Sequence, residues 1–172
     1  MPYTRMPMRI GGTISTSEAV TPAGLAVTLA ELPAHASQFL GHTAWQTMTQ
    51  ERVDQFATVT EDHNFIHVDP ERAAQTRFGG TIAHGYLTVS LLAPISQQLL
   101  KVTDAETGIN YGMDKVRFPA PLPVGGEFRG SAVLSAVEQI SGGLQVKLVI
   151  TVEVKDAAKP ALVAECLYRY FA

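Results

Sequence analysis

From Ala83 to Leu100 the chain sets Tyr86, Leu87, Val89, Leu91, Leu92, Ile95, Leu99 and Leu100 nearly all the way round a helix. A helix with so little polar surface has to be covered by other parts of the chain. The cover follows in sequence. Ile109 to Phe118, Glu127 to Ile140, Leu144 to Val154 and Leu162 to Phe171 are four strand candidates. In the third, Val146, Leu148, Ile150, Val152 and Val154 alternate with more polar neighbours at a period of two. Ser141-Gly142-Gly143 reads as a hairpin turn, Asp156 to Pro160 as another tight connection and Pro119 to Gly126 as a longer one. Helices first and an antiparallel meander second predict an α+β domain whose sheet covers the apolar helix. Pro94 inside that helix removes a hydrogen bond and predicts a bend.

Ahead of the helix the signals are shorter. Met1 to about Thr21 mixes Pro, Gly, Ser and Thr without periodicity and reads as an extension. Leu25, Leu29, Leu32, His35, Ala36, Phe39 and Leu40 predict a short helix interrupted at Pro33 and stopped at Gly41. Residues 1–40 are thus expected to be an N-terminal extension with a short helix, and residues 41–172 the domain itself. Thr43 to Thr49 suits a strand carrying Trp45. Thr49 suits the N-cap of a helix that packs through Val53, Phe56, Ala57 and Val59 and ends before Asp62. Asp62 to Gly80 reads as an irregular loop, with one short helix after a capping Asp69-Pro70.

Composition narrows the classes of function. A chain of 172 residues fits one domain, and a net charge of -3 leaves no general basic field for nucleic acid. The apolar run is interrupted by Thr88, Ser90, Pro94, Ser96, Gln97 and Gln98 and is too short to span a membrane. Polar residues after Arg5 and Arg9 argue against a signal peptide. The single Cys166 has no partner for an intramolecular disulfide and lies in an apolar alternating segment, which predicts a buried inert thiol in a reducing cytoplasm.

The chemistry is concentrated just before the apolar helix. Asp62, His63, His67, Asp69 and His84 include three of the chain's five histidines. In a tight loop around Asn64, the Asp62 carboxylate and the His67 imidazole can converge on one water molecule, an arrangement suited to moving protons. Asn64 can fix such a loop by bonding its own backbone. His84-Gly85 falls where the helix begins, so the Gly85 N–H lacks an internal partner and suits a developing oxyanion, with no Cβ in the way. Plainer roles exist for each residue. Asp62 can end a helix, His67 can be a satisfied core histidine, Asp69 can be a cap, and Arg72, Arg77, Lys101, Lys115 and Arg117 can be solvated charges. His63, His67, Asp69 and His84 lack the regular ligand spacing of a metal motif, and Gly79-Gly80 follows no strand and precedes no Lys-Ser/Thr pair, so it hints only weakly at phosphate.

Taken together, Asp62-His63-Asn64-Phe65-Ile66-His67 and Phe78-Gly79-Gly80-Thr81-Ile82-Ala83-His84-Gly85 resemble the hydratase signature of MaoC-like (R)-specific enoyl-CoA hydratases, including the NodN-like branch. The resemblance continues through Asn110-Tyr111-Gly112, Lys115-Val116-Arg117-Phe118-Pro119 and Pro123-Val124-Gly125, and runs from roughly Gly41 to the C-terminus. It implies a hot-dog fold, in which an antiparallel sheet wraps a long central helix, and a homodimer with a continuous sheet. It implies that Asp62 and His67 hold the catalytic water, that Asn64 supports their loop and that Gly85 offers its amide to a thioester carbonyl. His84 and Tyr86 are then candidates for substrate contact, and Ser90, or the position of Ala93, for a hydroxyl in the central helix. Arg72, Arg77, Lys115 and Arg117 are candidates for the CoA phosphates. No metal or redox cofactor, nucleic acid or membrane is implied. The implied reaction is reversible syn addition of water to a trans-2-enoyl-CoA, giving an (R)-3-hydroxyacyl-CoA. Two rivals share the shell, a hot-dog thioesterase that would hydrolyse the thioester and a non-catalytic acyl-CoA-binding module.

Overall fold

The computed structural model describes residues 24–172, so the expected extension from Met1 to Thr21 lies outside the described residues. Four long strands come where the alternation places them: β5 at Thr107–Arg117, β6 at Glu127–Ile140, β7 at Gly143–Val154 and β8 at Leu162–Phe171. Two short strands of the N-terminal half, β2 at Gln38–His42 and β3 at Gln46–Thr47, both pair antiparallel with β6. The sheet order is β2-β6-β7-β8-β5. Buried and half-buried residues alternate along β7 and through most of β8, so Leu144, Val146, Leu148, Ile150 and Val152 face the core with Leu162, Ala164, Cys166 and Tyr168. Ile140 pairs with Gly143 around the expected hairpin, where Gly142 takes φ 77°, a value natural to glycine.

Against this face lie α4, Gly85–Ser90, and α5, Leu92–Leu99, joined through a still helical Leu91. The interruption has the expected cause: Pro94 has no N–H for the Ser90 carbonyl and its ring crowds that carbonyl. Leu87, Leu91, Leu92, Ile95 and Leu99 are buried. Ile95 sits over Gly130 of β6, where a β-carbon on the glycine would come within 2.5 Å of the isoleucine side chain. The sheet therefore leaves a notch for the helix. Full burial of this helix, the sequence expectation, is corrected: Ser90, Ala93, Pro94, Gln97 and Gln98 are exposed and Tyr86 is 79% exposed, because a single sheet face covers only one side.

The helix expected between Leu25 and Leu40 does not form. That stretch is β1 at Leu25–Val27, a 3₁₀ turn at Leu32–His35 and β2. Pro33 supplies the start of the turn, and Ser37 at φ 69° turns the chain into β2. β1 pairs in parallel with β4, Leu100–Val102, which continues directly from α5. The boundary expected at residue 40 thus falls inside a strand of the main sheet. The strand expected over Thr43 to Thr49 shrinks to β3, and Trp45 lies outside it with its ring against the Arg129 guanidinium. In α1, Gln50–Thr60, the Thr49 hydroxyl accepts from Arg52 N as a cap should, and Val53, Phe56 and Ala57 turn inward. Val59 does not, being 83% exposed. Cys166 is buried, which pushes its thiol up to about 11 and fits the inert role expected of it.

Candidate active site

The loop after α1 is more ordered than its sequence suggests. Glu61, left-handed at φ 63°, ends α1, and Asp62 Oδ1 then accepts from Asn64 N at 3.4 Å. Asn64 Oδ1 accepts in turn from Ile66 N at 3.3 Å and caps one helical turn, α2 at Phe65–Val68, where the sequence predicts an irregular loop. Asn64 therefore does hold the loop. Asp69 caps the next short helix, α3 at Pro70–Ala74, accepting from Arg72 N at 3.0 Å. The turn that carries His67 is also gripped from α1: Gln50 Nε2 donates to the His67 carbonyl at 2.8 Å, while Gln50 Oε1 accepts from the Thr81 hydroxyl at 2.6 Å. Nothing local in the sequence marks Gln50 for this, since its partners are 17 and 31 residues away.

His67 is buried and its Nδ1 lies 2.7 Å from the Ile82 carbonyl. A carbonyl only accepts, so Nδ1 carries the hydrogen and Nε2 keeps its lone pair. Burial holds this imidazole below the usual histidine range, partly offset by the bond to Ile82 and the Asp62 charge. Asp62 is exposed at its side chain, and one ligand-type atom each of Asp62, His67 and His84 lies within 4.8 Å of the others. The fold thus brings together two residues that the sequence motif pairs five positions apart.

Those three groups would be a metal set by distance alone. The rings of His67 and His84, however, are stacked with centroids 3.8 Å apart and planes at 28°. In-plane lone pairs on nearly parallel rings run side by side, whereas a metal needs them to converge at about 2.0–2.1 Å. The geometry favours proton chemistry over coordination.

A cavity of about 310 Å³ opens beside His67, lined among others by His67, Arg77, Gly85, Thr88 and Phe118. Gly85 begins α4 on that wall. Of the four cationic candidates for phosphate, Arg77 alone borders this cavity. Arg72 lies over the Phe65 ring and beside Asp69, Arg117 donates to its own Val116 carbonyl at 2.7 Å, and Lys115 is exposed on β5. Tyr86 and Ser90 point elsewhere: Tyr86 is on the exposed side and the Ser90 hydroxyl donates to the Tyr86 carbonyl at 2.9 Å. The hydroxyl that the central helix offers to the cavity is that of Thr88, which donates to the His84 carbonyl at 3.1 Å. In the sequence Thr88 reads only as a polar interruption of an apolar run. Thr88 of α4 and Phe118, just past the end of β5, are 30 residues apart, and no local pattern links them.

An antiparallel sheet packed on a central helix, with an acceptor imidazole and a helix-start glycine lining one cavity and a carboxylate within 4.8 Å of that imidazole, is the arrangement of the hot-dog class of thioester hydro-lyases. Residues 33–158 match the family described as MaoC like domain, and the chain belongs to that family of dehydratases. It is 49% identical over 145 residues to the 3-hydroxyacyl-thioester dehydratase Z of Mycobacterium tuberculosis, covering 84% of this chain and 96% of that one. It is 43% identical over 141 residues to nodulation protein N of Rhizobium leguminosarum bv. viciae, covering 80% and 88%. An R-hydratase of Pseudomonas aeruginosa solved in its unliganded form superposes with a TM-score of 0.67 at 22% identity, covering 87% of this chain and 88% of that chain.

Proposed function

We propose that this protein is an (R)-specific enoyl-CoA hydratase, adding water reversibly to trans-2-enoyl thioesters. One observation carries the reading: the Ile82 carbonyl fixes the tautomer of His67 and leaves Nε2 an acceptor, on an imidazole that lines the same cavity as Gly85 and has a ring nitrogen within 4.8 Å of the Asp62 carboxylate. Two acceptors on one water take both of its hydrogens and leave an oxygen lone pair for C3. Asp62 accepts the water proton as the C3–O bond forms, and His67 holds the other O–H. The electron pair of the alkene moves onto the thioester oxygen, which the Gly85 amide meets at the start of the helix. The proton then passes from Asp62 to C2 on the face the water came from, which makes the addition syn. Arg77 is the cation placed to meet a CoA phosphate.

The reading includes a homodimer. β5 is an eleven-residue strand at the end of the sheet, and along and just beyond it Ile109, Tyr111, Met113 and Phe118 are exposed. A long apolar edge of this kind invites a second strand. A second copy would cover it and the bare side of α4 and α5. No helix of the described residues is long and apolar enough to cross a membrane. With the free thiol of Cys166, that supports a cytoplasmic location.

The test is loss of enoyl-thioester absorbance with crotonyl-CoA and a longer trans-2-enoyl-CoA. Hydration to the (R)-product, with Asp62→Asn and His67→Ala each slower by ~10² to 10⁴, supports the reading. Release of free thiol from a saturated acyl-CoA, with the enoyl esters untouched, replaces it with a thioesterase.

A further inference from the structure

We infer that His84 is a positioning residue for this site: its Nε2–H anchors the main chain of Asp62, and its ring covers one face of His67 and keeps that imidazole a dry, neutral acceptor. This rests on the reading of Asp62 and His67 as the water-holding pair. The sequence places His84 among the substrate contacts, but it is 1% exposed and is not among the residues lining the cavity, although its neighbour Gly85 is.

Hydrogen bonding determines what His84 is. Its Nε2 lies 2.9 Å from the Asp62 carbonyl, which can only accept, so Nε2 carries the hydrogen. Its Nδ1 is buried without a partner. One histidine thus bonds a carbonyl through Nε2 beside another that bonds a carbonyl through Nδ1. The stack at 3.8 Å shields a face of His67 that water would otherwise occupy, and the Phe56 ring, 5.0 Å from His84, backs the pair from α1. The charged and titratable groups around them are the Asp62 carboxylate on the loop, Asp54 of α1, which shares Gln50 with the His67 carbonyl, and Arg77 on the cavity wall. Asp62 is the one that touches the reacting water, and its backbone is the one His84 holds.

Two variants divide the two duties. His84→Phe keeps a ring against His67 and loses the donor to Asp62. His84→Gln keeps a donor and loses the ring. Long-range ¹H–¹⁵N correlation of the imidazoles reports the His67 tautomer and its titration without any substrate, and kcat and KM over pH report the reaction. In His84→Phe, kcat falls by about 10- to 100-fold, the order seen when groups orienting catalytic ligands are lost, while KM and the His67 titration stay in place. In His84→Gln, the His67 titration and the acid limb of kcat/KM move up in pH together, because water now reaches the imidazole. Equal losses in both variants with the titration unmoved would mean that His84 only supports the fold, and would overturn the inference. A wild type inert toward every enoyl ester, but with His67 titrating as described and shifting only in His84→Gln, would count against hydration and leave the covering role of His84 standing.

Discussion

Gly85 stands against the ring of Phe118, so close that a β-carbon built on the glycine would lie 3.4 Å from Phe118 Cζ. The φ of Gly85 is not in the left-handed region, so the backbone there would accept alanine. On the proposed reading the glycine serves to leave space at the cavity and is not there for its conformation. Gly85→Ala should therefore leave the melting temperature unchanged or slightly higher, since alanine favours a helix by about 1 kcal/mol over glycine. Hydration should fall roughly 10- to 100-fold as the thioester is displaced. An unchanged kcat/KM in a well-folded variant would show that substrate does not approach at Gly85.

Acidification should weaken the fold through His67. Its folded pKa lies below the usual value because the ring is buried, while in the unfolded chain it titrates at about 6.5. Between those two values the unfolded chain binds more protons, so stability rises with pH across that window. The contribution is present above about 6.5 and is lost as pH falls through the lower, folded value. Melting curves from pH 7.5 to 5 should show a shallower decline in His67→Gln than in the wild type. Parallel declines would mean that His67 titrates alike in both states.

Gly130 should tolerate no side chain. A β-carbon there would meet three carbons of Ile95 at 2.5 to 2.6 Å. Overpacking of this kind costs about 1–3 kcal/mol, so the urea midpoint of Gly130→Ala should drop accordingly. Adding Ile95→Ala should recover part of the loss, whereas additive losses would place the strain elsewhere.

Arg77 and Arg72 should separate cleanly. Arg77→Ala is expected to raise KM for CoA esters about 10-fold with kcat nearly unchanged, the pattern of lost ground-state binding. Arg72→Ala should do little, because its guanidinium is spent on Phe65 and Asp69 at the surface. The reverse ranking would put the phosphates on the other side of α3.

How much was legible follows the range of the interactions. β6 and β8 start and stop at the residues their alternation names, and Thr49, Asn64 and Asp69 cap or brace their turns as their chemistry suggests. All of these signals act within a few residues. The helix expected across Leu25 to Leu40 fails because its apolar spacing is compatible with helix, while pairing of β1 with β4 and of β2 with β6 decides the outcome from far along the chain. The site divides in the same way. Asp62 and His67 are visible as a local motif, whereas Gln50, Thr88 and Phe118 join them only through the tertiary fold, and the orphan nitrogen of His84 has no counterpart in sequence.

The pairing of Leu25 with Leu100, and of β2 with β6, also sets an order of events during synthesis. The first two strands leave the ribosome long before their partners exist, and the Asp62 loop follows them out still lacking its neighbours. Ala83 cannot donate to the Leu122 carbonyl until nearly forty more residues have been made. The nascent chain therefore carries Asp62 and His67 for about a third of its translation before the Leu122 carbonyl is made, and a product cut short just before β6 can pair β1 with β4 but leaves β2 without its partner.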